Sequence, residues 1–161
     1  RGLIGFRSEF MTETKGMGTM SYIFDGYDRY AGEMRNRNNG GLVVMEECIT
    51  VAYALFNLQE RGQLFLGPGE KVYGGQIIGE HSRENDIVIN PAKGKKLTNM
   101  RAAGSDDAVI LTPFRKMSLE DCISYINEDE LVEITPRSIR LRKTILDVTQ
   151  RKRAKIADAK A

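Results

Sequence analysis

The sequence predicts an α+β fold, in which a helix and a strand that read as the later half of an α/β unit precede a β-rich unit with short helices. Three observations predict it. Helical three-and-four spacing passes into strict alternation within the first 24 residues, several short β-favouring runs bounded by turn formers follow, and helical signals interrupt those runs only around residues 51 and 118.

Leu3, Phe6 and Phe10, with Ile4 and Met11 beside them, predict a helix over 3–14, and Lys15-Gly16 supplies a basic last turn and a glycine stop. From Met17 to Phe24 the residues favour β structure and alternate, Met20, Tyr22 and Phe24 against Thr19, Ser21 and Ile23, so a strand is expected. The boundary of this first unit falls near Arg29 to Gly32. Arg35 to Gly41 combines charge with turn formers and reads as a loop, and Leu42 to Met45 opens the second unit. Val51 to Arg61 is apolar-rich, stops at Gly62 and predicts a helix.

After the turn at Gly67-Pro68-Gly69, a strand is expected over Lys71 to Gly79, and the polar segment His81 to Asp86 separates it from the short apolar run Ile87-Val88-Ile89. Pro91 to Ala103 has no helical or strand periodicity and is expected to be an extended surface loop. Asp107 to Thr112 reads as a buried strand. Ser118-Leu119-Glu120-Asp121 is a capping box that opens a helix, with Leu119, Ile123 and Ile126 on its apolar face. Leu131 to Thr135 and Ser138 to Arg142 are expected to be strands joined by a tight turn at Thr135-Pro136-Arg137. In the second, Ile139 and Leu141 face inward and Arg140 and Arg142 face solvent, because side chains alternate across a strand. The tail from Gln150 to Lys160 is basic and alanine-rich, a fraying helix or a disordered end.

Composition excludes several classes. Of the 161 residues 41% are apolar and 29% charged, which matches soluble domains and not disordered chains. Cys48 and Cys122 stand far apart without a CxxC pair or a histidine at ligand spacing, so no metal site or disulfide framework is expected, and a reducing intracellular compartment fits them. No signal peptide and no apolar run of membrane-spanning length occurs. Arg1 to Ile4 carry no initiator methionine and lead directly into an apolar-periodic pattern, so the chain is expected to be a fragment that begins inside an element.

The formal net charge of +2 implies no polyanion by itself, so the positions of the charges matter. Lys93, Lys95, Lys96 and Arg101 fall within nine residues that contain no acid, beside Thr98 and Asn99, whose side chains can donate to phosphate oxygens. Gly94 permits close backbone approach there. Leu97 and Met100 are apolar groups that can pack on a sugar or base, or anchor the loop. A second basic stretch runs through Arg137, Arg140, Arg142 and Lys143 to Arg151, Lys152, Arg153 and Lys155, opposed by the acids from Glu120 to Glu133. His81 is the single histidine, and its neighbours Ser82 and Asp86 do not by adjacency make a nucleophile with an oriented base, so no catalytic residue is assigned. No phosphate-cradling glycine motif is present. Two functional classes remain: an RNA-contacting surface over His81 to Arg101, including Arg83, or a protein-interaction domain anchored by Leu97 and Met100.

His81-Ser82-Arg83-Glu84-Asn85-Asp86, followed by Gly94-Lys95-Lys96-Leu97-Thr98-Asn99-Met100-Arg101-Ala102, resembles the C-terminal region of the BipA/TypA translational GTPases. Arg1 to Arg7, Ala54 to Gly62, Leu66 to Glu70 and Thr135 to Lys143 are similar to the same family in the same order, so the resemblance covers nearly the whole chain. It implies residues 1–30 as the second half of a ferredoxin-like domain shared with elongation factor G, 31–147 as the family-specific C-terminal domain and 148–161 as a basic tail. It also implies a cytoplasmic, monomeric partner of large-subunit ribosomal RNA and the A-site transfer RNA. The RNA-binding set is then Lys93, Lys95, Lys96, Thr98, Asn99 and Arg101, with His81, Arg83, Arg140 and Arg142. GTP and Mg would belong to a GTPase domain that this sequence lacks, so no cofactor and no hydrolysis are expected of the fragment itself.

Overall fold

Two short apolar runs, Leu42-Val43-Val44 and Ile77-Ile78, are buried on both faces of a sheet, and the rest of the fold is arranged to cover them. The structure is a computed structural model that describes residues 6–30, 32, 37–94 and 110–158. In chain order the elements are α1 (Phe6–Glu13), β1 (Gly41–Val44), β2 (Cys48–Ile49), α2 (Ala52–Gln59), β3 (Gly62–Leu64), β4 (Lys71–Val72), β5 (Gln76–His81), β6 (Ile87–Ile89), α3 (Leu119–Tyr125), β7 (Glu130–Ile134), β8 (Ile139–Lys143) and α4 (Val148–Asp158).

A six-stranded mixed sheet with the order β6-β1-β5-β8-β7 forms the centre, and β2 pairs with β4 in a small second sheet. β5 is the organising strand. One of its edges carries β1, and the other is shared by β8 at Gln76 and Ile77 and by β3 from Gly79 to His81. β6 runs parallel to β1 at the sheet's edge, whereas the remaining pairs are antiparallel. Because side chains alternate, Leu42, Val44 and Ile78 lie on one face with Leu55 and Leu58 of α2, while Val43, Ile77 and Leu141 lie on the other with Cys122 and Tyr125 of α3. The result is an α+β fold with a helix over each face of the sheet.

α1 ends as its sequence predicts: Lys15 and Gly16 both take positive φ, and the Gly16 N–H donates to Met11 O. Residues 3–5 of the predicted helix lie outside the described residues. The strand expected over Met17 to Phe24 does not form. Its alternation is real, but no segment among the described residues lies alongside to take its N–H and C=O groups, and Met17, Tyr22, Ile23 and Phe24 are all well exposed. The strand expected over Lys71 to Gly79 is broken in two. Gly75, at φ 86°, turns the chain between β4 and β5, which then pair in different sheets.

Of the strand expected over Asp107 to Thr112, residues 107–109 lie outside the described residues, and Ile110 to Thr112 are not strand. The N–H and hydroxyl of Thr112 are instead taken by Gln59 Oε1. The capping box opens α3 as expected, with Ser118 and Asp121 exchanging bonds, but the buried face is Cys122 and Tyr125; Leu119 and Ile123 are exposed. In β8, Leu141 is buried as expected, while Ile139, on the same face but next to the turn, is exposed. The tail is helical as α4.

The least expected buried residue is Lys143. Its ammonium meets Asp86 (2.8 Å), Asp129 (2.9 Å) and Glu130 (2.8 Å), and Glu130 also meets Arg37 (2.5 Å). Arg37 lies over the Tyr125 ring at 3.9 Å and donates to Asn39 O. Burial alone would draw the Lys143 ammonium down, but attraction to Glu130 and the hydrogen bonds to the three carboxylates outweigh it and raise its pKa. The stabilisation from this shift is therefore full at neutral pH and is lost only as pH climbs through the raised lysine value.

Lys143→Met is expected to lower stability by about 3–5 kcal/mol, because it leaves Asp86, Asp129 and Glu130 clustered without the ammonium they share, with Arg37 alone to balance Glu130; urea unfolding at pH 7 measures this. Burial pushes the Cys122 thiol up to about 11. Iodoacetamide at pH 8 should thus modify the half-buried Cys48 before Cys122, which should react only on unfolding, as read by peptide mass mapping.

Candidate nucleic-acid interface

The site begins where β6 stops. The Asn90 side-chain oxygen accepts from Ala92 N–H (2.9 Å), the Pro91 ring is fully buried, and Pro91 O accepts from the Val51 N–H at the start of α2 (3.0 Å). Lys93 therefore leaves the body from a pinned point and is itself exposed. An added Cβ on Gly94 would meet nothing within 4 Å among the described residues, so their packing does not demand glycine there. Lys95, Lys96, Thr98, Asn99 and Arg101 lie outside the described residues.

The His81 to Asp86 turn is held from several sides. The His81 Nδ1–H donates to Asn85 O (2.6 Å), and the Ser82 N–H and hydroxyl both donate to Arg61 O (2.9 and 2.5 Å). Gly40 N–H donates to Arg83 O (2.7 Å), and Asp86 accepts from Gly41 N–H (2.9 Å) as well as from Lys143. Any Cβ on Gly40 would come 2.2 Å from the Asn85 carbonyl, so only glycine allows this approach. His81 is buried, and its ring supports the turn; it is not offered at the surface. Arg83 keeps its side chain exposed. With His81, Ser82 and Asp86 each committed to a different partner, they form no nucleophile-and-base arrangement.

The second basic stretch does not survive as a patch. Lys143 is buried in its carboxylate cluster, Arg140 pairs with Glu133 at 3.3 Å, and Arg142 is half-buried. Arg151 turns back to donate to Ile145 O and Leu146 O. Arg137, Lys152 and Arg153 remain exposed. Tyr73 explains part of this order: its hydroxyl donates to Glu133 (2.5 Å), and burial with that bond pushes the phenol up to about 12.

The structure adds residues that the sequence reading missed. Tyr53 and Asn57 on α2, with Arg61 in the turn that follows it, repeat at four-residue spacing and line an open groove together with Val88, Asn90 and Lys93. The signal was available in the four-residue spacing, but only packing shows that this face of α2 looks toward the start of the basic loop. No group of three or more His, Cys, Asp or Glu side chains that could hold a metal occurs among the described residues. No helix among them is long and apolar enough to cross a membrane.

A family model described as the TypA/BipA C-terminal domain matches residues 39–148. The chain belongs to the TypA/BipA family. It is 57% identical over 155 residues to the large ribosomal subunit assembly factor BipA of Salmonella typhimurium, 56% to that of Buchnera aphidicola and 54% to that of Haemophilus influenzae. Each alignment covers 96% of this chain, which spans about a quarter of the length of these curated relatives. The TypA/BipA match takes in α2, the 81–86 turn and the exit at Pro91; α1 and the extended segment to Tyr30 precede it.

His81→Ala should cost about 1–3 kcal/mol in urea unfolding, since it removes a buried ring and leaves Asn85 O without its donor. A loss of stability without loss of exposed charge is what separates this role from a ligand contact.

Proposed function

We propose that this chain is the RNA-contacting part of a translational GTPase that acts on the large ribosomal subunit, in subunit assembly, in translation under stress or in both. The observation that carries the reading is the pinned, exposed exit of Lys93 into an acid-free run that holds Lys95, Lys96 and Arg101. Polyanion binding is driven by release of counterions from phosphates, and a lysine-rich, acid-free run that follows a pinned, exposed lysine is suited to that. The names of the TypA/BipA relatives, large ribosomal subunit assembly factors, supply the ribosomal address. In this reading Lys93, Lys95, Lys96, Thr98, Asn99 and Arg101 contact ribosomal RNA and the acceptor end of the A-site transfer RNA, with Arg83 at the margin. The working form is a cytoplasmic monomer. GTP and Mg are held by a separate domain of the parent, which times binding and release.

A second reading rests on a different surface. Phe114, Ile134 and Ile139 are exposed around a groove edged by Lys116 and Arg137, a composition that suits a protein partner. Association with large subunits that survives complete RNA digestion and ignores salt would favour it.

Replacing Lys95, Lys96 and Arg101 together by glutamine should weaken binding to purified large subunits and flatten the salt dependence of log Kd by roughly 2 to 3, about 0.7 to 0.9 per charge. Wild-type affinity with a wild-type salt slope would remove the proposal.

A further inference from the structure

We infer that the groove between α2 and the exit from β6 is a pocket for one unpaired nucleotide of an RNA strand, an inference that rests on the RNA-contacting reading and gives it a specific receptor. The chemistry of its walls carries it. Tyr53 offers an exposed aromatic face, Asn57 an amide, and Arg61 and Lys93 two exposed cations, and no carboxylate lines the groove among the described residues. This is the set that single-stranded RNA requires: a ring on which a base stacks, an amide that pairs with a base edge, and cations for the flanking phosphates.

The groups are also held in place before any ligand arrives. The Asn57 Nδ2 donates to Tyr53 O (2.9 Å), so the amide stays on the groove wall with its oxygen and second N–H without partners among the described residues. The Arg61 carbonyl is fixed by both the N–H and the hydroxyl of Ser82, so the guanidinium stem starts from a rigid point. Asn90 is otherwise engaged, its amide donating to Glu46 (3.3 Å), which leaves base reading to Asn57. Ala54, Leu55 and Leu58 anchor α2 in the core, so the wall does not shift when the groove fills. In the sequence Lys93 is followed closely by Lys95 and Lys96, with no acid between them.

The test uses the full chain and a fluorescein-labelled single-stranded uridine hexamer, with a blunt RNA duplex of equal charge as control. Tyr53→Leu should weaken hexamer binding roughly tenfold and leave the salt slope unchanged, because it removes stacking and no charge, whereas Tyr53→Phe should bind as the wild type. Arg61→Gln should lower the salt slope by about 0.7. Ultraviolet crosslinking should map to the peptide that contains Tyr53, and the hexamer should bind more tightly than the duplex. Tyr53, Asn57 and Arg61 are exposed, so unchanged thermal unfolding of each variant is expected. Wild-type affinity in Tyr53→Leu, crosslinks confined to other peptides, or no preference for the single strand would overturn the pocket. If those results came with loss of large-subunit binding on neutralising Lys95, Lys96 and Arg101, the pocket alone would fall; wild-type subunit binding by that triple variant would remove the broader reading instead.

Discussion

The fold depends on one buried ion cluster, in which the Lys143 ammonium is shared by Asp86, Asp129 and Glu130, and Arg37 closes on Glu130 from the other side. The five participants come from four stretches of chain: the segment before β1, the turn after β5, the start of β7 with the residue before it, and the end of β8. Burying these charges costs several kcal/mol per ion, and their mutual attraction and hydrogen bonds offset that cost only in this one arrangement. Such a cluster adds little net stability over an apolar core. Its effect is specificity, since any slip of the β7–β8 hairpin or of the 81–86 turn would strand a charge out of water.

The cluster also sets the geometry of the interface. Asp86 is pulled toward Lys143 and Gly41, and this fixes the end of the turn from which β6 departs. β6 then runs parallel to β1, and Pro91 meets the start of α2. Lys93 and the outward face of α2 are brought to opposite sides of one groove by this chain of contacts. The same cluster removes Lys143 from the basic surface, and Glu133 does likewise for Arg140. Positive charge in the sequence thus differs from positive charge offered to a ligand.

Much of the fold was legible where local signals agree with tertiary demands. The capping box at Ser118, the glycine stop after α1, the turn at Thr135-Pro136-Arg137 and the helix after Val51 appear as predicted, because each is decided within a few residues. Met17 to Phe24 misled because a strand is defined by its neighbour, and alternation says nothing about whether one is present. Tyr73 to Gly75 misled in the opposite sense, since an apolar run continued across a turn that only the positive φ of Gly75 reveals. At the interface, the exposed Lys93 and Arg83 were legible as charge. Tyr53, Asn57 and Arg61 were not, because four-residue spacing marks a helix face without saying what it faces.

The sequence by itself determined the α+β class, most elements, the absence of catalytic spacing and the TypA/BipA resemblance, all of which rest on residue order over short spans. Tertiary structure alone decided which charges are free. Arg140 reads as a surface cation by alternation and Lys143 as part of a basic stretch, and only the carboxylates that the fold brings to them withdraw them. It alone also decided that α2 and the exit from β6 share a groove, because that depends on which face of the sheet the helix covers, and the covering is settled by long-range burial of Leu55 and Leu58 against Leu42, Val44 and Ile78.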